Sequence, residues 1–156
     1  MFRFTFFTMA LLLVLVRGVN AQDAQNVEQI GRIYNYWDYA YDVVVVGDLA
    51  YVAVGFSGLQ IVDISDPEDL NVIGYWDDNR GSAQGVTVSG DFAYLTDYYG
   101  GLHVVNIADP ENPEGVGYCD IPNYALGVTV SGDYVYVAAF RSGMQVIDIT
   151  DPENPD

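Results

Sequence analysis

An all-β architecture of stacked, repeated units is what this sequence predicts, and three observations predict it. A ten-residue stretch, Gly58 to Pro67 (Gly-Leu-Gln-Ile-Val-Asp-Ile-Ser-Asp-Pro), returns as Gly101 to Pro110 and again as Gly143 to Pro152, with steps of 43 and 42 residues between the Asp-Pro pairs. A period of that length means one supersecondary unit per copy, packed on its neighbours. Each copy holds four short apolar runs rich in Val, Ile and Tyr, and Gly, Pro or Asp-rich turns interrupt them too often for a helix. Four strands in about 42 residues is the unit length of a β-propeller blade. Three consecutive four-stranded blades are therefore expected over 30–156, with repeats at about 30–72, 73–115 and 116–156, the last of them incomplete.

Ahead of the repeats, Met1 to Arg3 is a short basic start, Phe4 to Val16 is almost wholly apolar, and Val19-Asn20-Ala21 offers small or short residues for a signal peptidase. These features predict a secretory signal peptide over 1–21. The apolar run is shorter than the roughly 18 to 20 residues that span a bilayer. The mature chain is thus expected to be secreted, periplasmic or at the cell surface, with no membrane span after cleavage. Residues 22–29 read as a polar leader.

The formal net charge is −17, and all five basic residues are arginines, two of which leave with the signal. A surface this acidic repels phosphate backbones, which argues against nucleic acid as a partner. Cys119 is the only cysteine, so no internal disulfide forms, and a structural thiol is expected.

Within each copy the first run is β-branched: Val43 to Val46, then Val86-Thr87-Val88, then Val128-Thr129-Val130. The unbroken valines of the first copy predict a strand covered on both faces. Gly47-Asp48, Gly90-Asp91 and Gly132-Asp133 follow as hairpin turns in which glycine supplies positive φ. The second run carries Tyr51, Tyr94 and Tyr136 in one register, predicting core rings on a strand. The third run is the recurring stretch itself. Its Asp63, Asn106 and Asp148 are placed to accept backbone N–H bonds from the following turn, and Asp66, Asp109 and Asp151 open that turn before a proline. These six residues are expected to be structural turn caps. The spacing does not suit a calcium loop, which needs Gly at its sixth position where Glu68 stands. The fourth run is Leu70 to Trp76 and Glu114 to Cys119, with Gln29 to Tyr36 preceding the first copy.

The segments Leu59 to Asp63, Leu102 to Asn106 and Met144 to Asp148 resemble the LVIVD repeat, named for that pentapeptide, and the flanking Val-x-Val-x-Gly-Asp and Asp-Ile-x-Asp-Pro-Glu-x-Pro elements resemble it too. The resemblance covers Ile30 to the end. It implies a propeller of the kind found in secreted bacterial and archaeal surface proteins, and brings no catalytic residues with it. Asn106 replaces the pentapeptide Asp, and Asp42 stands where Gly85 and Gly127 stand.

Three blades are fewer than the roughly four to eight that close a ring. The simpler account is a segment of a larger ring with further blades in cis; the other is a second chain, with Gln29 to Tyr36 completing the third blade and two copies forming a six-bladed ring. The loops that differ between copies join strands two and three or link consecutive blades, and in a propeller these share one end. They gather Trp37, Asp38, Tyr39, Trp76, Asp77, Asp78, Arg80, Tyr98, Tyr99, Tyr124, Phe140 and Arg141. Rings beside carboxylates and amides suit a glycan or a protein segment, so these are the candidate ligand-binding residues.

A catalytic reading has little support. His103 shares a strand register with Gln60 and Gln145 and is expected to be a satisfied strand side chain rather than a general base. There is no Gly-x-Ser-x-Gly elbow, phosphate-binding glycine loop or histidine cluster. No catalytic residue, cofactor or metal is expected, and the function predicted is an exported, non-catalytic scaffold for protein or carbohydrate binding. The alternative is a blade segment of a secreted hydrolase or lyase whose catalytic residues lie in other blades.

Overall fold

The computed structural model describes residues 29–33, 39–79, 81–99 and 101–156. The expected signal peptide, and all of the leader but Gln29, lie outside them. Three antiparallel sheets follow one another along the chain. The first is β1 (Asp42–Val46), β2 (Leu49–Ala53), β3 (Leu59–Asp63) and β4 (Asn71–Trp76). The second is β5 (Ala83–Ser89), β6 (Phe92–Asp97), β7 (Gly101–Asn106) and β8 (Glu114–Asp120). The third has β9 (Gly127–Ser131), β10 (Tyr134–Ala138) and β11 (Met144–Asp148). In each sheet the strands pair in chain order, the meander of a propeller blade. Counting repeats from Ile30 cuts each blade near the start of its fourth strand.

The turns explain why the blades share one shape. Gly47, Gly90 and Gly132 take φ of 60°, 56° and 59° between the first and second strands. A positive φ at the first central position is what a type II′ hairpin requires, and glycine meets it without steric cost. The aspartate after each glycine offers its carbonyl to the end of the third strand, accepting from Ile64, Ile107 and Ile149 N–H at 2.8 to 2.9 Å. Asp63, Asn106 and Asp148 accept the N–H two residues on, from Ser65, Ala108 and Thr150. Asp66, Asp109 and Asp151 do the same for Glu68, Glu111 and Glu153. The recurring acid or amide is thus spent on the backbone of its own turn. One local exception to an all-strand chain is a 3-10 turn at Phe140–Ser142.

The blades stack face to face. Tyr51, Leu59 and Ile61 of the first meet Val86, Leu95 and Val105 of the second. Tyr94, Leu102 and Val104, on the second blade's other face, meet Val135, Val137 and Ile147 of the third. Asp42 adds a polar tie: its carboxylate accepts Val86 N–H across the first interface at 3.1 Å. The expectation for Val43 to Val46 is corrected here, because Val43 and Val45, on the face turned away from the second blade, are exposed, as is Val46 at the strand end beside the turn. An apolar first strand is covered on both faces only where a blade lies on each side, and among the described residues the first blade has a neighbouring blade on one side.

Candidate functional site

The variable loops meet at one end of the stack. The β2–β3 loop is tied to the link between the first two blades by an isolated bridge between Gly55 and Ala83, with backbone bonds of 3.2 and 2.9 Å. Tyr98 N–H donates to Ser82 carbonyl at 2.9 Å, joining the β6–β7 loop to the same link. Two groups of side chains result.

The inner group centres on Asp97 and His103. Asp97 is buried, and its Oδ1 accepts Ser82 N–H at 3.0 Å and Tyr99 N–H at 2.8 Å. Its Oδ2 lies 3.7 Å from His103 Nε2, and Asp78 Oδ2 approaches the same nitrogen at 3.8 Å. Burial works to raise the Asp97 carboxyl, but the imidazole and the two backbone donors outweigh it and hold the group below the ordinary carboxylate range. His103 also sits between two rings, Trp76 at 5.3 Å and Tyr118 at 4.8 Å. Tyr118 donates its hydroxyl to Asp120 at 2.8 Å, and burial together with that carboxylate pushes its phenol up to about 12. Burial and Asp120 likewise raise the neighbouring Cys119 thiol, which makes it a poor nucleophile. Gly81 completes the packing, since a Cβ there would fall 1.4 Å from Asp97 Oδ2.

The outer group is a ladder of exposed rings. Tyr99 meets Tyr98 edge to face at 5.7 Å, Tyr98 stacks on Tyr124 at 4.3 Å with an interplanar angle of 10°, and Tyr124 leans on Phe140 at 5.7 Å. The Arg141 guanidinium lies 5.7 Å from the Phe140 centroid. The ladder thus runs from the second blade's loop, across the link carrying Tyr124, to the third blade's loop. Asn123 donates to Ser142 Oγ and pins that link to the third blade. Phe140 takes φ of 42°, a region a bulky residue rarely occupies, while Gly55 takes 43° at the equivalent place in the first blade.

Of the candidate residues, Tyr98, Tyr99, Tyr124, Phe140 and Arg141 come together in the ladder. Trp76 and Asp78 belong to the inner group. Asp77 caps its own turn, accepting Asn79 N–H at 2.9 Å. Tyr39 is exposed and meets only Tyr41, at 6.1 Å, among the described rings. Trp37, Asp38 and Arg80 lie outside the described residues. Asp97 was absent from the candidates, although the sequence carries a signal for it: at its place in the other copies stand Val54 and Ala139. His103 also departs from its equivalents, since Gln60 and Gln145 each donate to the loop carbonyl three residues back. Among the described residues no group of three His, Cys, Asp or Glu side chains is placed to hold a metal ion.

A family model described as LVIVD repeat matches residues 38–78, 80–121 and 122–156. No curated protein matches the sequence. Among solved structures, the chain is similar to the computationally designed Ika8 protein, with a TM-score of 0.58 at 9% identity over 70% of this chain and 33% of that one. It is also similar to the β-propeller domain of Cps50 (Swd1) from Myceliophteria thermophila, with a TM-score of 0.54 at 13% identity over 67% of this chain and 36% of that one. At such identities the likeness is one of fold alone, and the chain spans about a third of the length of each structure.

Proposed function

The chain belongs to the LVIVD repeat family, and from that premise we propose that it is an exported, non-catalytic propeller scaffold that binds carbohydrate at the loop end of its blades. The observation that carries the reading is the ladder Tyr99–Tyr98–Tyr124–Phe140, four exposed rings in mutual contact and held from below by hydrogen-bonded backbone. Sugar rings present flat C–H faces that stack on such surfaces, while Asn123 and Arg141 beside them offer donors for hydroxyls. The apolar leader at Phe4 to Val16 supports export.

The test is a glycan array followed by calorimetry on the best ligand. Each ring contributes up to about 1.5 kcal/mol of stacking, so Tyr98→Ala and Tyr124→Ala are each expected to weaken binding by up to about tenfold. A glycan that binds both variants as tightly as the parent, with the fold intact by circular dichroism, sinks the ladder as the site. Turnover of any glycan would move the chain to the enzymatic reading.

A further inference from the structure

The four rings of the ladder do not offer the same surface. Tyr98 and Tyr124 stack almost parallel, 4.3 Å apart at 10°, so each ring turns one face to the other, and they are only 37% and 41% exposed. The end rings are more open. Tyr99 is 66% exposed and meets Tyr98 at 90°, an edge-to-face contact that covers at most one face of a ring. Phe140 is 55% exposed and tilted at 47° to Tyr124, so these two do not stack. The most open rings thus lie at the two ends, with a stacked pair between them.

Those ends belong to different blades, and each is fixed by its own backbone. In the β6–β7 loop, Tyr99 N–H donates to the buried Asp97 carboxylate at 2.8 Å. Phe140 sits in the turn between β10 and β11, closed by Ser142 N–H on the Ala139 carbonyl at 2.8 Å and by Ala139 N–H on the Gly143 carbonyl at 2.7 Å. A single sugar is close in size to one aromatic ring, so it covers one end or the other. Only a ligand with several sugars in line reaches both, across steps of 5.7, 4.3 and 5.7 Å between ring centres. Fixed ends favour such a ligand, because binding then orders no loop and the second contact forms at the high effective concentration of a linked group.

Charge narrows the ligand further. The chain carries −17, and Asp120 is exposed at the end of β8, directly before the link that holds Tyr124. The Arg141 guanidinium, 5.7 Å from the Phe140 centroid, is a local cation at one end of the ladder. One guanidinium does not offset a field of that sign for a glycan bearing a carboxylate or sulfate on successive sugars. Uncharged hydroxyls escape the repulsion, and tyrosine hydroxyls both donate to them and accept from them.

We infer that the ladder takes a neutral, linear oligosaccharide laid along it, with one sugar on Tyr99, another on Phe140 and the sugars between them against Tyr98 and Tyr124. This rests on the carbohydrate reading proposed above and assigns that site its ligand class.

Calorimetry with β-1,4-linked oligomers of glucose, xylose, mannose and N-acetylglucosamine, from one sugar to six, tests this beside oligogalacturonate, a carboxylate-bearing counterpart. In the series that binds, affinity is expected to rise by about tenfold or more once the chain reaches the second end ring, and then to level off. Tyr99→Ala is expected to flatten that rise, and so is Phe140→Gly, which removes the ring and suits the φ of 42°. Oligogalacturonate is expected to bind more weakly than a neutral chain of equal length at 10 mM sodium chloride, and to gain affinity at 0.5 M. Three results each overturn the inference while leaving the ladder a carbohydrate site: affinity independent of chain length, a rise that survives in either variant, or galacturonate chains bound as tightly as neutral ones at low salt. The length dependence of the parent decides even where a variant misfolds. If none of the neutral chains binds, the inference falls; if no glycan on the array binds either, the carbohydrate reading falls with it.

Discussion

Asp97 shows how one residue organises the loop end. It stands where the other blades have valine or alanine, and burying a carboxylate costs free energy unless donors meet it. Ser82 and Tyr99 N–H do so, which also fixes the backbone on which Tyr98 and Tyr99 sit. Asp97→Ala leaves two backbone donors without a partner, at about 1–3 kcal/mol each, and is expected to lower the melting temperature. Asp97→Asn keeps an acceptor oxygen and is expected to cost less. The Asp97 carboxyl is held below its ordinary value, so its stabilisation is complete above the unfolded value of about 3.9 and is lost as pH falls through the folded one. Thermal unfolding between pH 5 and pH 2 is accordingly expected to fall less steeply in Asp97→Asn than in the parent. Phe140 is the opposite case, a bulky residue in a conformation that glycine takes in the first blade. Strain there is about 1 kcal/mol or more, and the ring is largely exposed. Phe140→Gly is expected to melt at or above the parent while binding glycan more weakly; a lower melting point would show that the ring is held for packing instead.

At the scale of the element, a blade's fourth strand is defined by how near it comes to the next blade. Gly74 and Gly127 are both strand glycines without positive φ, yet they meet different surroundings. A Cβ at Gly74 would lie 2.0 Å from Pro110 O, which is backbone and cannot swing aside, whereas at Gly127 it would meet only the Ala138 Cβ at 3.8 Å. Gly74→Ala is therefore expected to destabilise by about 1–3 kcal/mol, as overpacking does. Gly127→Ala is expected to be neutral or to stabilise by about 0.4–1 kcal/mol through the unfolded chain. Urea unfolding of the two variants measures the contrast, and equal effects would refute the close-approach argument. The link carrying Tyr124 is an element of another kind, without regular structure, placed by the stack on Tyr98 and by the Asn123 bond to Ser142.

For the whole molecule, charge is the dominant long-range term. With a net charge of −17 and a sequence pI of about 4.1, the compact state carries strong self-repulsion at neutral pH. Salt shortens the screening length to about 10 Å at 0.1 M and further above it. The melting temperature at pH 7 is thus expected to rise between 10 mM and 0.5 M sodium chloride. Acid acts in two directions, relieving repulsion while protonating Asp63 and Asp148, whose carboxyls their backbone donors hold below the ordinary range.

The repeat period, the strand order within each blade, the hairpin glycines and the Asp and Asn turn caps were legible in the sequence because each depends on residues close together in the chain. The candidate loops were legible as the places where the copies differ, and five of those residues form the ladder. The pairing of Asp97 with His103 was not legible, although both break the repeat. It needs the β6–β7 register, which sets His103 opposite Leu95 and beside Asp97. Nor could four valines reveal which of their faces is covered. Hydrophobic pattern states what a strand can bury, and only the placement of neighbouring blades decides what it does bury, as Val43 and Val86 show.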